Sequence, residues 1–302
     1  MYPVSRARIF VAGLLASLAA AGAGAAPTAV VEGVQMPAWV ERGGARQPLA
    51  PGMELKAGDR ITTGANSRIL MRMAEGSQVK LGEGAIFSLE SLGQRQENRQ
   101  TMLSAVFDLA RGAFRFTTDA SARLASRREV DIRISTVTAG IRGTDLWGKS
   151  AGDRDIVCLI EGRVAVQREA EPPVNLDQPM QFYIAPKANG RPDTSRPVQL
   201  ATVSDEQLRQ WATETDIAPG QGAARRGGTW KVVVAASDDP GAALAVAEKL
   251  RAEGYATGVF PAGNANRRVY EARIEGLPSR AEADALAGRI EPVTGTRGRA
   301  TR

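Results

Sequence analysis

Apolar and polar residues alternate in short segments between residues 29 and 185, and glycine-containing turns separate these segments. In residues 69–73 and 130–134 every second side chain is apolar, and charged residues such as Arg72 and Asp131 stand between them. A period of two puts apolar groups on one face of a strand, which is typical of half-buried antiparallel sheets. We therefore predict an all-β domain over residues 26–185, an antiparallel sandwich or roll.

The pattern after residue 228 mixes the strand period of two with the helical period of 3.6. Ser279 and Glu282 have the spacing of a capping box, which marks the start of a helix. The predicted elements are a strand at 230–236, a helix at 241–253 ended by Gly254, strands at 256–260 and 269–275, a helix after Ser279, and a short last strand near 292–295. This βαββαβ order predicts a small α+β, ferredoxin-like domain over residues 229–302, with both helices on one face of its sheet.

Prolines and glycines interrupt both patterns between residues 186 and 228. This composition predicts a linker between the two domains. One short helix is expected inside it, because Ser204 can cap a helix with Gln207 three residues later. Trp211 would lie on the apolar face of that helix and dock it on a domain.

The first 25 residues have the features of a secretory signal peptide. Arg6 and Arg8 precede an apolar stretch, and small residues at 23–25 offer a cleavage site after Ala25. The alternative is a retained membrane anchor, but about 13 apolar residues fall short of the roughly 20 that span a bilayer. We therefore expect an exported, periplasmic protein with no transmembrane segment in the mature chain.

Composition and charge narrow the class of partner. The chain is 43% hydrophobic and 24% charged, as in globular proteins, and its net charge is +6. A basic protein is attracted to polyanions such as wall polymers, anionic lipids or nucleic acid, although positive charge also simply favours solubility. Because the chain is expected to be exported, we predict no nucleic-acid partner.

The sequence excludes the commonest catalytic and metal chemistry. It contains no histidine and a single cysteine, Cys158, which lies in an apolar strand pattern and is expected in the core. Imidazole-dependent nucleophiles and the usual zinc sites cannot be built from these residues. A pair of catalytic carboxylates remains an alternative, but no pair stands out. We predict no enzyme activity, no metal and no cofactor.

The β-rich part resembles the FecR domain in five ordered segments. They are residues 49–67 (LAPGMELKAGDRITTGANS), 75–82 (EGSQVKLG), 109–114 (LARGAF), 135–146 (STVTAGIRGTDL) and 161–166 (EGRVAV). We interpret the glycines of these segments and Asp59 as structural residues of turns. We expect Arg142 to pair with a turn carbonyl or with Glu161 rather than to contact a ligand. The resemblance implies surface-signalling relatives with a membrane span and a cytoplasmic segment, neither of which is found in this sequence.

The C-terminal part resembles the SPOR domain, at residues 230–236 (WKVVVAA), 242–254 (AALAVAEKLRAEG) and 270–283 (YEARIEGLPSRAEA). The resemblance implies binding of peptidoglycan glycan strands that have lost their stem peptides, and hence collection at division sites. In the first strand, Val233 stands where the family commonly has glutamine.

Strand alternation defines the candidate glycan-binding residues on the uncovered face of the predicted sheet. The candidates are Arg273, Lys231, Val233 and Glu271, together with Ala235, and Trp230 and Tyr270 at the rim. Arg273 can offer several donors to sugar hydroxyls, or instead form a surface salt bridge with Glu271 or Glu275. For Trp230 and Tyr270, burial in the core is the alternative to stacking on a sugar ring.

Two functional hypotheses follow from the sequence. In the first, a non-catalytic envelope protein binds peptidoglycan through its C-terminal domain and tethers the β-domain to the wall. In the second, a sensory or protein-interaction protein has kept the SPOR-like fold and lost its glycan ligand. Other envelope proteins are possible partners in either case.

Overall fold

A computed structural model describes residues 28–97, 100–118, 126–141, 144–264 and 267–302. The predicted signal peptide, as well as Arg142 and Gly143, lies outside the described residues. The described part consists of a large β-rich domain and a small α+β domain that pack against each other.

The β-rich domain is built almost entirely of strands. They are β1 Ala29–Gln35, β2 Ala38–Arg42, β3 Ala45–Pro48, β4 Glu54–Leu55, β5 Arg60–Thr63, β6 Arg68–Met73, β7 Gln78–Leu81, β8 Ile86–Glu97, β9 Gln100–Thr117, β10 Ser126–Ile134, β11 Val137–Ile141, β12 Asp145–Ser150, β13 Arg154–Glu161, β14 Val164–Arg168, β15 Val174–Leu176, β16 Gln181–Ala188, β17 Arg191–Pro192, β18 Gln199–Thr202 and β19 Ala223–Arg225. Helix α1, Asp205–Thr215, lies between β18 and β19.

These strands form two sheets that share β9. The strand order is β19-β1-β6-β7-β9-β12-β13-β16-β18 in one sheet and β3-β2-β5-β8-β9-β10-β11-β14-β15 in the other. Neighbouring strands are antiparallel except β9 and β10, which are parallel. The predicted antiparallel all-β fold is therefore confirmed.

Gly112 lets β9 pass from one sheet to the other. The residues before it pair with β8, and residues from Gly112 onward pair with β12. Its φ is +92°, and a Cβ at this position would lie 2.6 Å from the Cα of Ala85. A side chain here would be strained and would also clash with backbone.

The inward positions of both sheets form one apolar core. Phe87, Phe107, Phe114 and Phe116 are fully buried in it, and the rings of Phe87 and Phe107 lie 5.3 Å apart. Along β6 and β7 fully buried residues alternate with more accessible ones, which matches the period of two seen in the sequence.

Asp59, part of the segment that resembles FecR, is a structural residue as predicted. Its buried carboxylate accepts a hydrogen bond from the backbone N–H of Lys56 at 2.8 Å, and both its oxygens lie 2.6 Å from the Arg42 guanidinium. Because of this hydrogen-bonded pair, the pKa of Arg42 is raised. The pair pins the β4–β5 turn to β2.

The α+β domain has the predicted βαββαβ order. Its elements are β20 Trp230–Ser237, α2 Pro240–Ala252, β21 Thr257–Asn264, β22 Arg267–Leu277, α3 Arg280–Thr294 and β23 Arg299–Thr301, and the sheet order is β21-β22-β20-β23. Ser279 caps α3 by accepting from the N–H of Glu282 at 3.2 Å, as predicted. The last strand lies later than predicted, because α3 continues through Pro292 and ends only at Gly295, whose φ is +75°.

The segment predicted as a linker is largely folded onto the β-rich domain, which corrects that prediction. Strand β18 pairs with β16, and β19 pairs with β1. Ser204 caps helix α1, as predicted. The Trp211 ring stacks on the Trp147 ring with 4.6 Å between the ring centres, so Trp211 docks this helix on the β-rich domain, as predicted. The prolines and glycines of this segment lie between short strands that are paired with the β-rich domain, and they do not mark an unfolded connection.

The two domains are joined by a buried carboxylate. Glu282 accepts hydrogen bonds from the backbone N–H groups of Gly220 (2.6 Å), Gly222 (2.7 Å) and Ala223 (2.9 Å). The sequence predicts Glu282 only as half of a capping box. Its carboxylate is in fact directed at the chain that enters β19.

Further contacts fix how the domains are oriented. Arg289 of α3 donates to the carbonyl oxygens of Met36 and Gln221, and burial lowers the pKa of its guanidinium. Gly254 accepts from the N–H of Ala38 at 3.1 Å, and a Cβ on it would lie 2.6 Å from the Trp39 ring. The end of α2 therefore rests directly on β2.

Within the described ranges, every helix is too short or too polar to cross a lipid bilayer.

We expect Trp211→Ala to lower the free energy of unfolding by roughly 1–3 kcal/mol, because it removes the stack on Trp147 and exposes part of that cluster. Urea denaturation followed by far-UV circular dichroism measures this change. Arg209→Ala, on the exposed side of the same helix, is the control and should change stability by less than about 0.5 kcal/mol. Equal effects of the two substitutions would contradict the docking role of Trp211.

We expect Glu282→Ala to destabilise the junction by about 2–4 kcal/mol, because the buried N–H groups of Gly222 and Ala223 and the half-buried hydrogen bond of Gly220 lose a charged acceptor. Hydrogen exchange should then increase at Gly220, Gly222 and Ala223. The exposed Glu291 of the same helix provides the control, Glu291→Ala. Unchanged exchange at residues 220–223 in the Glu282 variant would contradict this prediction.

Candidate binding face

The sheet of the α+β domain has one face covered by both of its helices. Val232, Ala272 and Ile274 are fully buried on that side, and Val232 and Ile274 belong to one apolar cluster with residues of α2 and α3. The other face carries no helix. We define the open face as the side chains of this second side, at Lys231, Val233, Ala236, Gly258, Phe260, Glu271, Arg273, Glu275 and Arg299.

Strand register places most of the open-face residues in two rows, because residues directly opposite each other in a sheet point to the same side, and it places Lys231 opposite Thr301 at one end. Val233 is opposite both Arg273 and Arg299, and Arg273 is opposite Gly258. In the next row, Glu271 is opposite Ala236 and Phe260. Arg273 and Glu271 thus lie at the centre of the face; the sequence predicts their side of the sheet but not this central position.

Arg273 is held by an aromatic ring and two carboxylates. Its guanidinium carbon lies 4.1 Å from the centre of the Phe260 ring. It forms ion pairs with Glu275 at 2.8 Å and with Glu271 at 3.3 Å, and its side chain is 17% exposed. The predicted alternative of a salt bridge is therefore present, and the arginine is oriented before any ligand arrives.

Phe260 lies flat on the sheet because Gly258 has no side chain. A Cβ on Gly258 would lie 2.4 Å from the Phe260 ring. The ring and the stacked guanidinium together give the open face a planar centre.

Glu271 connects two arginines on this face. Its carboxylate lies 3.3 Å from Arg273 and 3.8 Å from Arg299, and the Arg299 side chain is 69% exposed. Val233 lies between the strands of these arginines and is 6% exposed. The valine contributes apolar contact beneath the arginines rather than a hydrogen bond.

Three of the predicted residues lie elsewhere. Trp230 is opposite the buried Leu277 and packs on the apolar core, and Tyr270 shares the strand phase of Ala272 and Ile274. Both aromatics are half-buried on the helix side, the alternative that the sequence left open. Ala235 is also on the helix side, because a bulge at Val234 places it opposite Ala272.

Sequence reasoning missed Phe260 and Arg299. Alternation in 256–260 puts Phe260 in phase with Gly258, so its position was readable from the pattern. The position of Arg299 could not be read from the sequence in the same way, because the last strand is predicted near residues 292–295 and in fact spans Arg299–Thr301.

The open face ends against the β-rich domain in a cleft of about 360 Å³. Phe260, Arg273 and Glu275 line one side. On the other side are Met36, Ala50 and Pro51 of the β-rich domain and Arg225, Arg226 and Gly227 of the chain that enters the α+β domain. The β-rich domain borders the face at this end.

The described residues offer little for covalent or metal chemistry. They contain no cluster of three or more histidine, cysteine or acidic side chains that could hold a metal ion. Cys158 is fully buried beside Trp147, and desolvation raises the pKa of its thiol to about 12. Such a thiol is a core residue, as predicted, and a poor nucleophile.

The described chain is a two-domain protein, in which an all-β domain precedes a small α+β module with one sheet face that no helix covers. Two protein-family models match the sequence, one in each domain. The model described as FecR protein matches residues 59–165, and the SPOR domain model matches residues 227–298. The chain therefore carries a FecR domain followed by a SPOR domain. A SPOR domain implies peptidoglycan binding, and a FecR domain is typical of regulatory proteins of the cell envelope.

Among curated proteins, no relative matches the chain. Two solved structures, at 1.65 and 2.50 Å, are similar to it, both described as a "putative anti-sigma factor" from Parabacteroides distasonis ATCC 8503. Their sequence identities are 15% and 14%, and their TM-scores are 0.38 and 0.36. Each match covers 78% of this chain, with 92% and 91% of the other chain.

We expect Cys158 to react very slowly with a thiol reagent in the folded protein at pH 8, since only roughly one thiol in 10⁴ is ionised when the pKa is near 12. The same reagent should label the unfolded chain rapidly in concentrated guanidinium chloride, where the pKa of the thiol is ordinary. Absorbance of the released chromophore follows both reactions, and Cys158 is the single thiol in the sequence. Rapid labelling of the folded protein would contradict a buried site.

Proposed function

We propose that this chain is a non-catalytic, exported protein of the periplasm that binds peptidoglycan glycan through its open face and so holds the FecR domain at the cell wall. Division sites, where glycan without stem peptides is expected, are where it would collect. The observation that carries the proposal is the planar Phe260–Arg273 centre on a sheet face that no helix covers.

The chemistry of the open face suits a sugar ligand. A sugar ring has flat C–H surfaces that pack on an aromatic ring, and hydroxyl groups around its edge that need hydrogen-bond partners. Phe260 supplies the flat apolar surface. Arg273 supplies donors in a fixed plane, and Glu271 and Glu275 supply acceptors. Because these groups hold one another in place, less conformational entropy is lost when a ligand binds.

A binding role without catalysis is supported by what the sequence contains. Histidine is absent, and the single thiol is buried in the β-rich core. The carboxylates of Glu271 and Glu275 are both ion-paired with Arg273 rather than set as a free pair on either side of a substrate bond. We therefore propose that the protein holds glycan and does not cleave it.

The second hypothesis, a sensory or protein-interaction protein without glycan affinity, also has an observation in its favour. Arg273 already bonds to Glu271 and Glu275, so a ligand must share or replace these contacts. Val233, where the family commonly has glutamine, offers no hydrogen bond in its place.

Arg273→Ala tests the proposal in a co-sedimentation assay with sacculi that an amidase has stripped of stem peptides. We expect the wild-type chain to sediment and the variant to bind about 10-fold or more weakly, because charge-assisted hydrogen bonds are worth roughly 1.5–3 kcal/mol. The control is Arg280→Ala, which removes an arginine of the same domain that is 75% exposed and paired with Asp284. It should bind like the wild type.

Absence of wild-type binding at low and at moderate salt would support the second hypothesis instead. Release of soluble muropeptides from the sacculi in the same tubes would contradict a non-catalytic role.

A further inference from the structure

The edge strands of this protein differ in how they are protected against pairing with another chain. An edge strand exposes unpaired backbone N–H and C=O groups, and proteins commonly protect it with proline, with charge or by covering it. Strand β19 is covered by the α+β domain through Glu282, and β21 contains Pro261. Strands β3 and β23 carry arginine, and β15 follows Pro172 and Pro173. Among the edges of the described sheets, β18 alone has neither proline nor charge.

Strand β18, Gln199–Thr202, is also open to solvent. All four of its residues are exposed. Leu200 is 50% exposed, more than Leu244 at 42%, the other large apolar side chain that stands out in the described ranges. Leu200 is opposite Tyr183, which is buried in the core, so the leucine points to the core side of the sheet but lies beyond the cover of the second sheet. A further strand alongside β18 would cover this leucine.

The backbone of β18 has free hydrogen-bonding groups on its outer edge. In an antiparallel pair only every second residue bonds to the neighbouring strand. Val203 donates its N–H to the Met180 carbonyl at 2.9 Å, and this bond sets the alternation between β18 and β16. Ala201 therefore faces β16, and the N–H and C=O groups of Leu200 and Thr202 point away from it.

A second copy of β18 matches these free groups. When two copies run antiparallel with Ala201 opposite the partner's Ala201, Leu200 lies opposite the partner's Thr202, and Thr202 lies opposite the partner's Leu200. Opposite residues of this kind exchange two hydrogen bonds, so every outward-facing N–H of the strand finds a carbonyl. The two leucines are then diagonal neighbours on the core side and within reach of each other.

The charges on either side of β18 are complementary in the same arrangement. The chain just before the strand carries two arginines and one carboxylate, and the chain just after it carries two carboxylates and one arginine. They are Arg191, Asp193 and Arg196 before β18 and Asp205, Glu206 and Arg209 after it. In an antiparallel pair the start of one strand faces the end of the other, so the more positive end of each copy faces the more negative end of its partner.

We propose that β18 is a self-association site, through which two copies of this chain form a dimer about a two-fold axis at Ala201. The occupant is a second copy because a single uncharged strand supplies both donors and acceptors in a self-complementary register. A pairing of four residues per copy is small, and interfaces below about 1,200 Å² are weak, so we expect a dissociation constant of roughly 10–100 μM.

Such a dimer carries two open faces, and its benefit for wall binding rests on the proposed function. Two linked modules bind a polymer with many sites more tightly than one does, without any new contact. On sacculi stripped of stem peptides, a monomeric variant should therefore be retained about 10-fold more weakly than the dimer-forming chain.

Leu200→Lys tests the dimer in sedimentation velocity, with the chain from residue 26 onward and no glycan present. The wild type should change from monomer to dimer as its concentration rises. The variant should dimerise at least about 10-fold more weakly, because it brings two like charges together across the pair. Leu244→Lys is the matched control, since it adds the same charge at the other exposed leucine, and it should dimerise like the wild type.

A cysteine at Ala201 tests the register. Ala201→Cys should form a disulfide-linked dimer under mild oxidation, because directly opposite residues meet the Cα separation of about 4.4–6.8 Å that a disulfide needs. Gln199→Cys, on the same face, is the control: its two copies would lie about 13 Å apart along the strands and should not crosslink. The buried Cys158 does not compete in this reaction.

The outcomes separate this proposal from glycan binding. A chain that stays monomeric at all concentrations would overturn the dimer. A dimer that Leu200→Lys leaves intact, or crosslinking of Gln199→Cys as fast as Ala201→Cys, would overturn its assignment to β18. Equal retention of Leu200→Lys and Leu244→Lys on stripped sacculi would overturn the avidity benefit. Since the first two assays contain no glycan, their failure leaves the proposed function standing, and a failure of the wild type to bind sacculi leaves the dimer standing.

Discussion

A buried carboxylate is central to the contacts that orient the two domains. Glu282 gathers three backbone N–H groups from the chain that leads into β19, and β19 in turn pairs with the first strand of the β-rich domain. A buried charge is costly unless it is fully hydrogen-bonded, so this arrangement is tolerated only in one geometry. The same geometry brings Met36 and Pro51 beside Phe260, and the cleft exists because of it.

Most strands and helices of the fold could be predicted from the periodicity of apolar residues, because that periodicity reflects which side of each element is buried. Ser204 and Ser279 were readable as helix caps for the same reason: a cap needs only its own first turn. The linker prediction was wrong because proline and glycine content does not reveal that residues 199–202 and 223–225 pair with distant strands. Such pairing depends on which edges the sheets leave free, and that is decided by the whole domain.

The positions of the candidate residues were predicted in part. Placing Arg273, Glu271, Val233 and Lys231 required only the strand phase, and the structure has that phase. Ala235 was misplaced because one extra residue at Val234 reverses the phase beyond it, and no residue type marks that bulge. Glu282 shows the opposite difficulty: a local motif explained it completely, and this concealed its contact with residues 220–223. Arg299 was missed because the boundaries of the last strand were wrong, whereas Phe260 lies inside a predicted strand and its phase was available from the sequence.

The connection between the domains contains almost no slack, because β18, α1 and β19 are each anchored to the β-rich domain. If the SPOR domain grips a glycan strand while the wall stretches, tension passes straight into β19, a three-residue edge strand. Short edge pairings are separated more easily than the interior of a sheet. Mechanical load would therefore peel β19 from β1 and pull on Glu282 before it reached the aromatic core, so the junction would act as the weak point that spares the FecR domain.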